Sequence, residues 1–267
     1  MLVPVRHNRA PSLSDREAKA PRDLPDREEL KERTEKALDE LKELQNVFYA
    51  DGRYALLVVL QGRDASGKDG VIRHVFGACN PQGVHVTSFK VPTELERAHD
   101  FLWRVHAATP PKQMIGIFNR SHYEDVLVVR VRNLVPRAVW SKRYAQINAF
   151  EQMLAENGVI ILKFFLHISR AEQRDQLIER LEDSTKNWKF RAKDLDDRQL
   201  WHDYTRAYRD ALAKCSTKWA PWFVVPADDK KARNYLVTQT IVEKLKSLNL
   251  KYPRAEKEVL ALKDSIV

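Results

Sequence analysis

Apolar residues along this chain keep two different rhythms. At 54–60, 114–118, 159–167 and 222–225 they form short, nearly unbroken runs, and 84–89 is a looser stretch of similar length. Runs that short and continuous predict strands, and the first of them, YALLVVL, predicts a strand buried on both faces. Elsewhere the apolar positions recur at intervals of three and four, the spacing of an amphipathic helix. Leu30, Thr34, Ala37, Leu38, Leu41, Leu44 and Phe48 make one such stripe. Trp140, Tyr144, Ile147, Phe150 and Leu154 make a second, closed by Asn157 and Gly158. Leu195, Leu200, Trp201, Tyr204, Tyr208 and Leu212 share a third helix face, and a last helix runs to about Leu248. Asp26 with Glu29, Thr93 with Glu96 and Ser169 with Glu172 have the spacing of N-terminal caps, and Asp228 and Asp229 read as caps of the last helix. Strands and helices alternating in this way predict an α/β fold, a doubly wound sheet of about five mostly parallel strands with helices on both faces.

Residues 1–25 fall outside that rhythm: they are polar, carry Pro4, Pro11, Pro21 and Pro25, and read as an extended arm. Residues 26–250 read as one domain with an N-terminal helix, and 251–267 as a charged tail. At 267 residues, 43% hydrophobic and 31% charged, the chain can bury a full core. No run approaches the roughly 20 apolar residues that span a bilayer, and residues 1–17 contain no apolar signal core, so no membrane is expected and the cytoplasm is. Cys79 and Cys215 have neither metal nor redox spacing and are expected as buried thiols. The net charge of +9 is unevenly spread. Residues 1–53 hold 11 Lys and Arg against 12 Asp and Glu, a balance of −1, which leaves +10 on the remainder. A basic body implies an anionic partner: nucleotide, nucleic acid, polyphosphate or membrane surface.

The sharpest chemical signal follows the first strand. Gly62-Arg63-Asp64-Ala65-Ser66-Gly67-Lys68 leads straight into a helical stretch, the context in which a glycine-bounded loop cradles phosphate on its backbone N–H groups while Lys68 adds a mobile charge. The bland alternative is a tight strand-to-helix turn with a chance lysine; strand, glycines, lysine and helix coinciding argue against it. Arg73, further along the helix, is a further phosphate-binding candidate. Two acids depart from the usual loop. Asp64 sits inside it, and Asp69 stands where Ser or Thr usually follows the lysine. A carboxylate beside a polyanion repels it unless a divalent cation lies between them, so Asp64 reads as a magnesium or catalytic carboxylate, against an Asx-turn role. Asp69 is a second metal candidate, equally explained as a favourable charge on the helix's first turn.

Further along, Lys90, Asp100 and Arg104 are candidate nucleotide contacts, though each also suits a solvated helix face. His99 and His106 read as structural. Strand 114–118 ends in Asn119-Arg120-Ser121-His122-Tyr123-Glu124-Asp125, and ligands of open parallel sheets bind at such strand ends. Arg120 is placed for bidentate phosphate contacts. Glu124 suits metal or nucleotide binding and equally a capping box with Ser121. Between about 170 and 198, Arg174, Arg180, Lys186, Trp188, Lys189, Arg191 and Lys193 alternate with acids and little apolar periodicity, which reads as a lid closing on phosphates or as a solvated loop.

Taken in order, GRDASGKD, SFKVP, HDFLWR, FNRSHYEDV, the stretch from Lys186 to Lys189 and APWFVVPADDK resemble a family-2 polyphosphate kinase over about residues 30 to 250. That resemblance implies a P-loop kinase-like fold with a helical lid, and Mg²⁺-dependent transfer of a terminal phosphoryl group from inorganic polyphosphate to an adenine or guanine nucleotide. Mn²⁺ is the alternative ion, and a homo-oligomer, dimer or tetramer, is implied. By similarity Asp64 and Lys68 belong to the Walker A loop, Asn119 and Arg120 to the second motif, and Arg174 and Arg180 to the lid. Asp64, Lys68, Asn119, Arg120 and Arg180 are then the expected catalytic set, although many members carry Asp where this chain has Asn119. FNRSHYEDV resembles the class that accepts both AMP and ADP. Two other readings remain: an ATP-dependent P-loop nucleoside or nucleotide kinase, and a basic nucleic-acid binder. The second lacks a helix-turn-helix, an RNA-reading strand or a zinc pattern, so no nucleic acid is expected.

Overall fold

The computed structural model describes residues 1–190, 192–256, 259 and 262–266, without the side chains of Lys193, Asp194, Lys263 and Asp264. Arg191 and the side chain of Lys193 therefore lie outside the described residues. The elements follow in the order α1 (Arg27–Asp51), β1 (Ala55–Gly62), α2 (Lys68–Phe76), β2 (Val84–Ser88), α3 (Glu94–Ala98), α4 (Trp103–Ala107), β3 (Ile115–Asn119), α5 (Val128–Val131), α6 (Arg137–Glu156), β4 (Val159–His167), α7 (Arg170–Glu182), α8 (Ala192–Gln199), α9 (Trp201–Lys214), β5 (Trp222–Pro226) and α10 (Lys230–Lys246). All five strands pair in parallel, in the order β2-β3-β1-β4-β5. The central strand is β1, whose eight residues are all buried, as its unbroken apolar run requires.

Alternation along β1 divides the core in two. Ala55, Leu57 and Val59 face Tyr144, Ile147 and Phe150 of α6 and Tyr208 and Leu212 of α9. Leu56, Val58 and Leu60 face Leu41 and Phe48 of α1, Val71 and Val75 of α2, and Leu236 and Ile241 of α10. The helix after β1 thus lies on one face, and those after β3 on the other. The chain parts between the carboxyl ends of these neighbouring strands, where an open sheet forms its ligand crevice. The register Leu60↔Asn119 brings the end of β3 level with the end of β1.

Local chemistry sets several boundaries as expected. Asp26 accepts from the amides of Glu28 and Glu29, Thr93 and Glu96 form a capping box, and the Ser169 side chain accepts from the amide of Glu172. Three expectations are corrected. Asp229 alone caps α10, accepting from Lys231 and Ala232, while Asp228 accepts from the amide of Ser169 at 2.8 Å and ties β5 to the start of α7. The helix face from Leu195 to Leu212 is broken at Leu200, and Leu195 is exposed. Asp197 is held there by Arg132 at 2.6 Å and the Tyr204 hydroxyl at 3.0 Å, so tertiary bonds turn the chain where no Gly or Pro marks a stop. The arm is extended but docked: Pro4 bridges Phe223 antiparallel, the Val5 amide donates to Trp222 O at 2.8 Å, and Ser14 O meets His167 Nε2 at 2.9 Å. It covers the edge that β5 would otherwise leave unpaired. No helix among the described residues is long and apolar enough to cross a membrane.

Candidate active site

The loop after β1 turns on two left-handed residues, Ala65 at φ 66° and Gly67 at φ 90°. Gly67 caps α2 without a side chain, so the first amides of that helix, which no helical carbonyl satisfies, are left for an anion. A Cβ on Gly62 would collide with the buried Ser66 hydroxyl, and one on Gly67 with the guanidinium of Arg233. Lys68 is buried, and its Nζ donates to Gly62 O at 2.9 Å and Arg63 O at 3.1 Å. Of its three N–H donors one is left over. Burial, with the charge of Arg120 nearby, brings its pKa from 10.5 down to about 8.

Across the crevice Arg120 sits at φ 61°, its amide bonded to Leu60 O at 3.1 Å, and its Nη2 donates to Asp64 Oδ1 at 2.7 Å. A non-glycine residue held in the left-handed region carries local strain, which clusters at functional sites. Burial would lower the pKa of Arg120, but Glu124 and Asp64 more than reverse this and keep it charged. Glu124 lies on a 3-10 turn, His122–Val126, capped by Ser121, whose side chain accepts from the amide of Tyr123. With that cap in place, the Glu124 carboxylate points to Gln61 and lies in the field of Arg120, Lys68 and Asp64. Burial raises its pKa, and the two cations pull it only part of the way back. At the rim, Asn119 Nδ2 donates to Asp69 Oδ1 at 2.9 Å, and Lys189, in the turn after α7, stands 3.6 Å from the same carboxylate. Burial opposes ionisation of Asp69, but the Asn119 bond and the charges of Lys189 and Lys68 outweigh it and lower its pKa.

Residues 62–69 thus meet Asn119, Arg120, Glu124 and Lys189, as the sequence suggests. Other candidates lie elsewhere. Arg63 belongs to the loop by backbone only: its guanidinium stacks 3.7 Å over Trp201 and donates to Trp201 O at 3.1 Å and Thr205 Oγ1 at 2.6 Å, bracing the loop against α9. Arg73 is exposed on α2, and five residues of helix turn it about 140° from Lys68. Arg104 donates to the carbonyl of Lys90 at 2.9 Å and lies 3.6 Å from Glu96, while Asp100 accepts from the amide of Leu102 at 2.9 Å. These short-range bonds build the α3–α4 excursion; the Lys90 ammonium is itself exposed. On α7 and the turn after it, Arg174 pairs with Asp175 at 2.8 Å, and Lys186 with Asp183 at 2.7 Å and Glu179 at 3.1 Å. Arg180 is half-buried in the last turn of α7.

Two residues escaped sequence reasoning. Gln173 of α7 donates to Asp64 O at 3.0 Å, so the first turns of α7 hold the backbone of the loop. Arg233 of α10, 4% exposed, lies against Gly67 and Gly70. It stands four residues after Asp229, in the first turns of the helix for which the sequence marks only the caps. The donor chemistry suits a hard divalent cation: Asp64 and Glu124 supply carboxylate oxygens within one electrostatic neighbourhood. Among the described residues no three metal-ligating side chains cluster. A cation there would complete its shell with phosphate and water, as magnesium does.

The comparisons with known proteins agree with that geometry. Residues 25–253 match the model of the polyphosphate kinase 2 family. An AMP/ADP-polyphosphate phosphotransferase of Meiothermus ruber is 57% identical over 216 residues, 81% of each chain. An ADP-polyphosphate phosphotransferase of Rhodopseudomonas palustris is 44% identical over 246 residues, 86% of this chain and 85% of that one. The crystal structure of polyphosphate kinase 2 from Arthrobacter aurescens TC1 superposes with a TM-score of 0.90 at 38% identity, covering 99% of this chain and 98% of that one. With the loop, the acid inside it and the arginine that answers it all in place, the chain belongs to the polyphosphate kinase 2 family and is an enzyme of phosphoryl transfer.

Proposed function

We propose that the enzyme transfers the terminal phosphoryl group of inorganic polyphosphate to AMP and ADP, reversibly, with Mg²⁺ bound. The observation that carries this is the Asp64–Arg120 pair at the mouth of a lysine-bearing phosphate loop. An anion-binding loop that keeps its own carboxylate suits a donor that arrives with a metal ion. Phosphoryl transfer runs through a loose state with charge spread over the transferred group, so positioning and charge neutralisation are most of catalysis. Lys68, the first amides of α2 and Arg120 hold the phosphates that flank the breaking bond. Asp64 and Glu124 would hold Mg²⁺, or Mn²⁺ in its place, and the ion when bound supplies charge neutralisation at the phosphate oxygens. Asn119 orients Asp69, which gives Lys189 a seat when the lid lies over the loop. Arg180, by its place on α7, is the lid arginine of the catalytic set, and closure excludes the water that would hydrolyse the donor.

Acceptance of both AMP and ADP draws support from the name of the Meiothermus relative. Adenine and guanine nucleotides, a cytoplasmic location and assembly as a dimer or tetramer complete the proposal, with residues 26–250 as the catalytic unit and 170–198 as its lid. The test is one assay: AMP or ADP with polyphosphate and Mg²⁺, and no ATP. Formation of ADP or ATP, lost when the metal is chelated, is the expected result. Transfer to nucleoside or nucleotide from ATP alone, with polyphosphate inert, would overturn the proposal in favour of a conventional kinase.

A further inference from the structure

Among the described residues no carboxylate is hydrogen-bonded to Arg233; the charge it feels is that of Asp229. Arg233 is 4% exposed, and its Nε and Nη2 both go to Asn234 Oδ1, at 3.1 and 2.9 Å. Nη1 has no acceptor among the described residues. It lies where a Cβ of Gly67 would stand, with Cζ 2.8 Å and, for Gly70, Nη2 3.1 Å from the corresponding positions. Burial lowers its pKa to about 10, against the pull of Asp229, so it is a cation at neutral pH. A buried guanidinium hydrogen-bonded to one neutral carboxamide, beside the positive end of α2, is unfavourable unless an anion compensates it. The acids of the crevice answer Arg120 and Lys68 on the β3 side of the loop. On the α10 side no carboxylate among the described residues bonds the guanidinium.

Resting on the polyphosphate reading above, we infer that Arg233 binds a phosphate of the donor chain that is not transferred, through Nη1 beside Gly67, where the chain leaves the loop toward α10. The transferred group must face the acceptor in the β1–β3 crevice, so the rest of the chain leaves on the other side of Lys68. Two consequences separate this from a packing role. The contact serves only donors long enough to leave the loop, and it concerns donor and not nucleotide.

Calorimetry on the intact protein with pyrophosphate, tripolyphosphate and long-chain polyphosphate tests both, alongside steady-state kinetics of the same variants. Arg233→Met is expected to weaken tripolyphosphate and long-chain binding about tenfold or more, the worth of a charge-assisted hydrogen bond. Pyrophosphate should change by less than about threefold and KM for ADP should hold, the chain-end contact being outside both sites. Arg233→Lys, which keeps the charge and loses the fork, should fall between wild type and Met. Equal losses on all three phosphates, or donor and nucleotide KM rising together with a lower Tm, would make Arg233 a packing part of the loop and overturn the inference. If the Met variant does not fold, the Lys variant decides: a loss selective for the longer donors supports the contact, and unchanged binding overturns it. Wild-type protein that binds pyrophosphate no less tightly than the long chain would remove the donor reading itself, and this is visible before any variant is made.

Discussion

Raising the pH should strip Lys68 of its proton well before an exposed lysine would lose one. Burial and the neighbouring Arg120 bring its pKa from 10.5 to about 8. At about 1.36 kcal/mol for each pH unit, that drop corresponds to about 3.4 kcal/mol held against the ammonium form. In the free enzyme half of Lys68 is then neutral near pH 8, and kcat/KM for polyphosphate should fall about tenfold per unit above that midpoint. A bound phosphate chain favours the ammonium, so kcat at saturating donor should hold to higher pH, and donor binding near the midpoint should take up a proton. The assay is initial rates at saturating nucleotide from about pH 6 to about pH 10, for wild type and Lys68→Arg. Arginine stays protonated throughout, so the variant's residual rate should show no limb near 8. A wild-type limb at the ordinary lysine value, or the same limb in Lys68→Arg, would refute the reasoning. Stability follows with its own sign. The folded-state pKa lies below the unfolded one, so the unfolded chain binds more protons between about 8 and 10.5, and stability rises with pH across that window. Below the window the charged lysine is a standing cost. Lys68→Met should therefore abolish transfer while raising Tm at neutral pH, by at most about 3 kcal/mol of stability, reduced by the hydrogen bonds lost at Gly62 O and Arg63 O.

Asp64→Asn should lower kcat by about a hundredfold or more with circular dichroism unchanged, since it removes a charge placed at the reacting phosphates; near-normal turnover in the folded variant would refute the role. Burial lifts the pKa of Glu124 above 4.5, so the wild-type rate should drop on the acid side as that carboxylate protonates, and Glu124→Gln should be slow but flat over the same range. If the Gln variant keeps the acid limb, another group is responsible. Behind the site, Lys163 Nζ lies 2.5 Å from Glu151 Oε2 and 2.7 Å from the Tyr123 hydroxyl, with both charged side chains fully buried. Lys163→Met alone should cost about 3 to 5 kcal/mol in denaturant unfolding by stranding Glu151, and adding Glu151→Leu should recover most of it. A double variant no more stable than the single one would contradict this.

Much of the scaffold was legible because its signals are local. An unbroken apolar run makes β1, and side chains at fixed offsets make the caps at Asp26, Thr93 and Ser169. The strand order was not legible, since pairing belongs to the tertiary fold and no run of residues records its neighbour. Asp64 and Arg120 were each singled out, but their 2.7 Å contact across 56 positions follows only from the register of β1 on β3. Arg63 shows the limit of a motif: membership of the loop fixes where its backbone lies and says nothing of its side chain, which Trp201 captures. Arg233 marks a different limit, because a charged residue at a helix start looks solvated until α10 is laid against α2.

The balance of charge in the mouth bears on how this site differs from a simple anion trap. Lys68, Arg120 and Lys189 are matched there by Asp64, Glu124 and Asp69. Two unit charges about 4 Å apart interact by about 4 kcal/mol at an effective dielectric of about 20, so each carboxylate substantially weakens the grip on a bare phosphate chain. A mouth of cations alone would bind the donor, the product and every intermediate anion more tightly, and binding that is uniform along the reaction does not raise kcat. On the proposed reading, the carboxylates would confine strong binding to chains that bring a divalent cation. With a divalent cation bound, Asp64 and Glu124 would hold it and its charge would offset their repulsion of the phosphate oxygens. On that reading the acid within the loop would turn a general affinity for phosphate into a preference for metal-bearing phosphate close to transfer, by weakening the ground state.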